Sequence, residues 1–240
     1  MRETDNDWNI IAEHNPFFGV LANAEYLGKD LPPEKKARFY ESGRVDIAFT
    51  LDVARRHFGV VPRFGRALDF GCGVGRLTKA MAEHADAVTG VDISEHMIEV
   101  ARRNVSGEHV EFRPALPEGP FNWINSHMVF QHIPPGRGIG ILRDLLDLAA
   151  PGCFVTIQLP FYRDRSFFQQ TMEKIDAVAF DGSRIDVIAR SQHSEGTMLM
   201  FDYPWPQVYA AFVDRGFSNI HMIHTNHGGV HGAWMFSTRD

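Results

Sequence analysis

The chain has 240 residues, 44% hydrophobic and 22% charged, which is long enough for one sizeable core and ordinary for a globular domain. A net charge of −6 with no block of Lys or Arg argues against nucleic acid as a partner, because phosphate binding calls for a basic surface. Only Cys72 and Cys153 are present, so a disulfide framework is excluded. Both read as small buried apolar residues. No metal-ligand spacing is present, and no apolar run reaches membrane-spanning length.

In chain order, Met1 to Asp7 is acidic without an apolar core, so no secretory leader and a cytoplasmic address are expected. Trp8, Ile11, Phe17, Phe18, Leu21 and Tyr26 form an aromatic-rich segment too irregular for one clean helix. Asp30-Leu31-Pro32-Pro33-Glu34 offers a cap and a proline at a helix start. Ile47, Leu51, Ala54 and Phe58 then recur at helical spacing until Gly59 and Pro62. Residues 1–63 are thus expected to be a helical N-terminal cap or lid, with plain packing on the sheet edge as the alternative. The run Ala67-Leu68-Asp69-Phe70 reads as a buried strand that breaks into glycines, with a helix opening at Arg76. A second strand, Ala87–Val91, ends in Asp92, and Ser94 caps a helix carrying Met97, Ile98 and Ala101.

Two further strands follow, Val110–Arg113 and Phe121–Ser126. Leu142, Leu145, Leu146 and Ala149 mark an amphipathic helix stopped by Pro151-Gly152, and Phe154–Leu159 is the fifth strand. Tyr162 to Glu195 exceeds a simple connection. Phe168, Met172, Ile175 and Ala179 keep helical spacing there, so an inserted helical element is expected within 161–203. A helix over Pro206–Arg215 closes at Gly216. Strands near Ile220–His224 and Ala233–Ser237 then pair across a glycine-rich hairpin.

The decisive stretch is Asp69-Phe70-Gly71-Cys72-Gly73-Val74-Gly75, with Asp92 about 20 residues after it on the next strand. Glycines there let the backbone take positive φ and let a ligand lie against the main chain. A dinucleotide fingerprint would need a third glycine where Arg76 stands, which counts against a nucleotide-dependent oxidoreductase. The pattern D-x-G-x-G-x-G resembles motif I of the class I S-adenosylmethionine-dependent methyltransferases, and the resemblance runs from about Arg66 to the C-terminus. It implies an α/β, Rossmann-like, seven-stranded, mostly parallel sheet with a C-terminal antiparallel hairpin, occupying residues 64–240. It also implies S-adenosyl-L-methionine as cosubstrate, and a small-molecule acceptor such as a hydroxyl of a sugar or secondary metabolite. A non-catalytic cofactor-binding module and an RNA or protein methyltransferase stay open as alternatives, as does a homodimer.

From the same resemblance, amides of Gly71, Cys72, Gly73 and Gly75 would line the methionyl end of the cofactor, and Asp69 would accept from its ammonium group. Asp92 would take the ribose hydroxyls. Ile93 and Met97 would lie against adenine, and Ser126 would stand beside the methyl. The family often has an acid after the third strand. Arg113-Pro114-Ala115-Leu116 stands here instead, which leaves base recognition to backbone groups of Ala115 and Leu116. His132, after the fourth strand, is a candidate general base or else a cap of the turn before Pro134-Pro135. His221, His224, His227 and His231 crowd the hairpin. His224 and His231 are candidate catalytic or substrate-facing residues, with structural roles also open and no metal expected, because strand spacing sends neighbours to opposite faces.

Overall fold

A computed structural model describes residues 4–60, 63–167, 175–180, 185–189, 196 and 198–240. Among the described residues, three α-helices precede the first strand, α1 (Asp5–His14), α2 (Pro16–Val20) and the long α3 (Pro33–Phe58), with a 3-10 turn at Ala24–Tyr26 between the last two. The aromatic stretch is two short helices meeting at Asn15-Pro16, which is why it shows no single period. Pro33 opens α3 and Gly59, at φ 63°, closes it with amide bonds back from Gly59 to Arg55 and from Val60 to Ala54. Asp30 does not cap this helix. It accepts from the Leu31 amide and pairs with Lys36 at 2.7 Å.

The βα repeat then runs through β1 (Phe64–Phe70), α4 (Arg76–Met81), β2 (Ala85–Val91), α5 (Glu95–Asn104), β3 (Val110–Arg113), β4 (Phe121–Ser126), α6 (Pro135–Asp147) and β5 (Ala149–Arg163). After β6 (Ile175–Phe180) and β7 (Ile185–Ala189) come α7 (Trp205–Val213), β8 (Asn219–His227) and β9 (Val230–Thr238). The main sheet has seven strands in the order β3-β2-β1-β4-β5-β9-β8. The first five are mutually parallel, and β9 runs antiparallel to both β5 and β8.

Both faces of this sheet are covered, so its central strands read as apolar runs. Leu142, Leu145 and Leu146 of α6 with Val208 and Phe212 of α7 cover one face. Ile47, Leu51 and Ala54 of α3 with Leu77 and Met81 of α4 cover the other, over Trp123, Phe154 and Phe236. A third cluster joins Phe17, Tyr26 and Phe39 of the N-terminal segment to Met97, Ile98 and Ala101 of α5, and so docks the cap against that helix. No helix among the described residues is long and apolar enough to cross a membrane.

Two expectations are corrected. The helix expected to run through Ala149 and stop at Pro151-Gly152 ends at Asp147, and Ala149, Pro151 and Gly152 belong to β5. The β4–β5 register shifts between Phe121 and Trp123, so the proline falls where the ladder asks for no amide. In the described part of the insertion, Ile175 and Ala179 do not continue the helix that spacing suggested. β5 continues to Arg163, Asp164 caps a helical turn over 165–167, and β6 and β7 form an antiparallel ribbon. Ile175 and Ala179 lie in β6, since positions four apart share a face in a strand as well as in a helix. Phe168 and Met172 lie outside the described residues.

Helices α3 and α4 touch through Gly43, where a Cβ would overlap the carbonyl of Arg76. Gly43→Val is therefore expected to destabilise the protein by about 2 kcal/mol net, overpacking outweighing the gain in helix propensity. Scanning calorimetry should show a Tm lower by roughly 4–8 °C. An unchanged Tm would contradict the close crossing.

Candidate active site

The carboxyl ends of β1 and β2 are stitched together by the glycine loop. Amides of Gly71 and Cys72 both donate to the Val91 carbonyl, at 2.7 and 2.9 Å. The Gly73 amide donates to Asp92 Oδ2 at 2.8 Å, and the Gly75 amide to the Cys72 carbonyl at 2.9 Å. The Gly71, Cys72, Gly73 and Gly75 amides expected to line the methionyl end are thus spent inside the loop. What the loop presents instead is bare Cα surface, at Gly71 (φ 72°) and Gly73 (φ 53°). Cβ atoms there would overlap Val129 and Val20 respectively.

Gly71 and Gly73 open onto a cavity of about 260 Å³. Asp92, Ile93, Met97, Ala115, Leu116 and His132, all named from sequence, line it as well. Asp69, Cys72, Gly75, Ser126, His224 and His231 do not. Asp69 is 2% exposed beneath the loop, where its two oxygens accept from Thr78 Oγ1 (2.6 Å) and Asn125 Nδ2 (2.9 Å). Thr156 in turn donates to Asn125, so this carboxylate braces β1, β4, β5 and α4. Burial raises its pKa. Cys72 is buried in the cap cluster with its thiol pushed well up by burial, and Gly75 faces Val105 and Phe112. Ser126 is fully buried one residue before the cavity wall.

Asp92 stands where the loop, β2 and α5 meet. It holds the Gly73 and Ser94 amides, the latter at 2.9 Å. Burial raises its pKa to about 6 and nearby Asp69 adds to this, while the two amides pull the other way. Across the cavity Met128 has φ 61°, a costly conformation for a residue with a side chain, and so aims the segment after β4 at the loop.

His132 lines the cavity but has both ring nitrogens engaged. Nδ1 donates to the Leu199 carbonyl at 2.8 Å, so Nε2 is the acceptor and takes the Gln131 amide at 3.0 Å. Burial lowers its pKa to about 4. Thr4 Oγ1 donates to its carbonyl and Trp8 packs edge-on against its ring, so the turn carrying it is clamped from α1 and from the stretch before α7. This is closer to the turn-capping alternative than to a free base.

Sequence reading passed over His127, which also lines the cavity. Its ring stacks on Trp234 at 4.4 Å and its Nδ1 is buried without a partner. Burial lowers its pKa to about 4, with Arg76 and His227 adding to the effect and Asp46 opposing it. Thr4 and Asp5 of the cap, with Arg137 of α6, were missed too, because nothing local in their sequence marks a wall that forms only on folding, whereas Trp8 belongs to the aromatic segment expected to form the cap or lid. The hairpin histidines split between faces as their spacing required. His224 donates to His231 (2.9 Å) and His231 to Asp164 (2.7 Å). His227 accepts from Gln158, and His221 stacks on His57. Among the described residues no group of three or more His, Cys, Asp or Glu is placed to hold a metal.

The sequence model of a methyltransferase domain family matches residues 43–238. The chain belongs to that family. Similar curated proteins include a trans-aconitate 2-methyltransferase of Sinorhizobium fredii, 31% identical over 131 residues that make up 50% of each chain. A ubiquinone biosynthesis O-methyltransferase of Aromatoleum aromaticum is 31% identical over 121 residues, 46% of this chain and 51% of that one. The chain spans about half the length of the curated relatives it matches. Among solved structures, magnesium protoporphyrin IX methyltransferase from Synechocystis with bound S-adenosylhomocysteine superposes with TM-score 0.62 at 18% identity, over 96% of this chain and 98% of that one. At that identity the likeness establishes a shared fold, the class I methyltransferase sheet with its antiparallel end.

Proposed function

We propose that this methyltransferase-family chain binds S-adenosylmethionine in the cavity and transfers its methyl group to an oxygen of a small acceptor. The observation that carries the reading is Asp92, a carboxylate fixed by loop and helix amides on the wall of a cavity whose adjacent glycines cannot carry side chains. The residues fit the cofactor. Asp92 keeps lone pairs for two ribose hydroxyls, Ile93 and Met97 offer one apolar wall for adenine, and Ala115 and Leu116 the other. Gly71 and Gly73 leave room for the methionyl chain, while Asp69 works from behind by holding Thr78 and Asn125.

When bound, the cofactor supplies a methyl on a sulfonium, already a good leaving group, so the protein's task is alignment and exclusion of water. Cap residues Thr4, Trp8 and Val20 roof the cavity, which favours a small acceptor over a polymer. A hydroxyl on a sugar or secondary metabolite would have to lose a proton. His132 has no spare nitrogen for it and His127 is a weak base, so the site suits an acceptor oxygen that ionises readily. Isothermal titration with S-adenosylhomocysteine and with NAD tests the reading. Micromolar binding of the first and none of the second is expected; the reverse pattern would refute it.

A further inference from the structure

Among the described residues lining the cavity, Arg137 is the one cation. It sits in the first turn of α6, and its Nη1 pairs with Asp5 Oδ1 at 2.6 Å, although 132 positions separate the two in sequence. Both side chains are partly open, at 36% and 42% exposure. An ion pair as exposed as this contributes little to stability, so releasing Asp5 from Arg137 costs about 1 kcal/mol or less. The other acid on the wall, Asp92, is held by backbone amides.

From this arrangement we propose that the methyl acceptor is a carboxylic acid whose carboxylate displaces Asp5 from Arg137. The proposal rests on the methyltransferase reading above and narrows its acceptor to one class. A guanidinium binds a carboxylate by planar, charge-assisted hydrogen bonds, which orients an oxygen as well as attracting it. A carboxylic acid is ionised at neutral pH without help, so the weakness of His127 as a base ceases to be a difficulty. In the transfer, a carboxylate oxygen forms a bond to the methyl carbon as the carbon–sulfur bond breaks. The electron pair of that bond stays on sulfur, which becomes a neutral thioether, and no proton moves. The carboxyl group that is methylated loses its charge, so Arg137 holds it less well and Asp5 can close on Arg137 again. Because Asp5 begins α1 and Trp8 and Thr4 of the same segment line the cavity, that exchange also couples acceptor binding to the position of the cap.

The test is calorimetric titration of protein loaded with S-adenosylhomocysteine, using benzoate, cinnamate, citrate and trans-aconitate and the neutral amide of each. At least one acid should bind saturably and its amide should not. Asp5→Asn, which removes the carboxylate paired with Arg137 Nη1, should tighten that binding by up to about fivefold. Arg137→Gln should abolish it and Arg137→Lys should restore part of it, while all three variants still bind S-adenosylhomocysteine saturably. Labelled methyl transferred to the bound acid should be released as methanol by mild alkali, as an ester is and an ether or amine is not. Three results would each overturn the proposal: equal binding of acid and amide, full acid binding by Arg137→Gln, or no acid bound by either wild type or Asp5→Asn. An alkali-stable product would overturn it while leaving methyl transfer standing, whereas failure to bind S-adenosylhomocysteine would overturn the reading beneath it.

Discussion

Gly71→Ala is expected to weaken S-adenosylhomocysteine binding at least about 100-fold, a loss of roughly 3 kcal/mol or more. Two costs combine. At φ 72° a residue with a Cβ pays about 1–2 kcal/mol that glycine does not. The new carbon would also overlap both γ-methyls of Val129. The backbone cannot step aside, because the Gly71 and Cys72 amides are tied to the Val91 carbonyl. The side chain that yields must be Val129, and it lines the cavity beside Met128, whose positive φ leaves that segment little slack. Val129→Ala in the same protein should recover part of the binding by relieving the overlap, but not the backbone cost. Affinity within threefold of wild type in Gly71→Ala alone would show that the loop does not touch the ligand.

The loop and Asp92 were legible in sequence because their geometry is local. Three glycines at alternate positions and an acid at the next strand end admit few backbone paths, and the structure follows one of them. The five parallel strands and the closing hairpin were legible for the same reason. The roof of the cavity was not. Arg137 meets Asp5, Thr4 meets the His132 carbonyl, and His132 meets Leu199, pairings across 132, 128 and 67 positions that no local period announces. His132 drew attention as a titratable group in the right place, yet its availability depended on partners visible only after folding, and these occupy both nitrogens. His127, five residues earlier, carries the unpartnered nitrogen instead. Ile175 and Ala179 read as helical because they satisfy either periodicity, whereas β-branched Ile185, Val187 and Ile188 favour the strand that pairs with them.

Asp92→Asn is expected to weaken S-adenosylhomocysteine binding by about 10- to 100-fold and to remove its pH dependence in acid. Two ribose hydroxyls donate better to a carboxylate than to an amide, and hydrogen bonds to charged groups contribute about 1.5–3 kcal/mol. The wild-type carboxyl titrates at about 6 rather than its ordinary 3.8, chiefly because burial disfavours its charge. Binding draws on the ionised form, so affinity should be flat above pH 6 and fall by up to about tenfold for each unit below it. The sign for stability is opposite. The folded, ligand-free protein holds more protons on this group than the unfolded chain between pH 3.8 and about 6, so its contribution to stability falls as pH rises through that window. Above it, the two-unit shift costs about 3 kcal/mol. Asparagine avoids that cost but can accept from only one of the Gly73 and Ser94 amides, and a buried amide left without a partner costs about 1–3 kcal/mol. The two terms nearly cancel, so the variant should melt close to wild type at pH 7 while binding poorly. Calorimetric titrations from pH 4.5 to 8 decide the matter, since an acid-side loss of affinity that persists in Asp92→Asn would place the titrating group elsewhere.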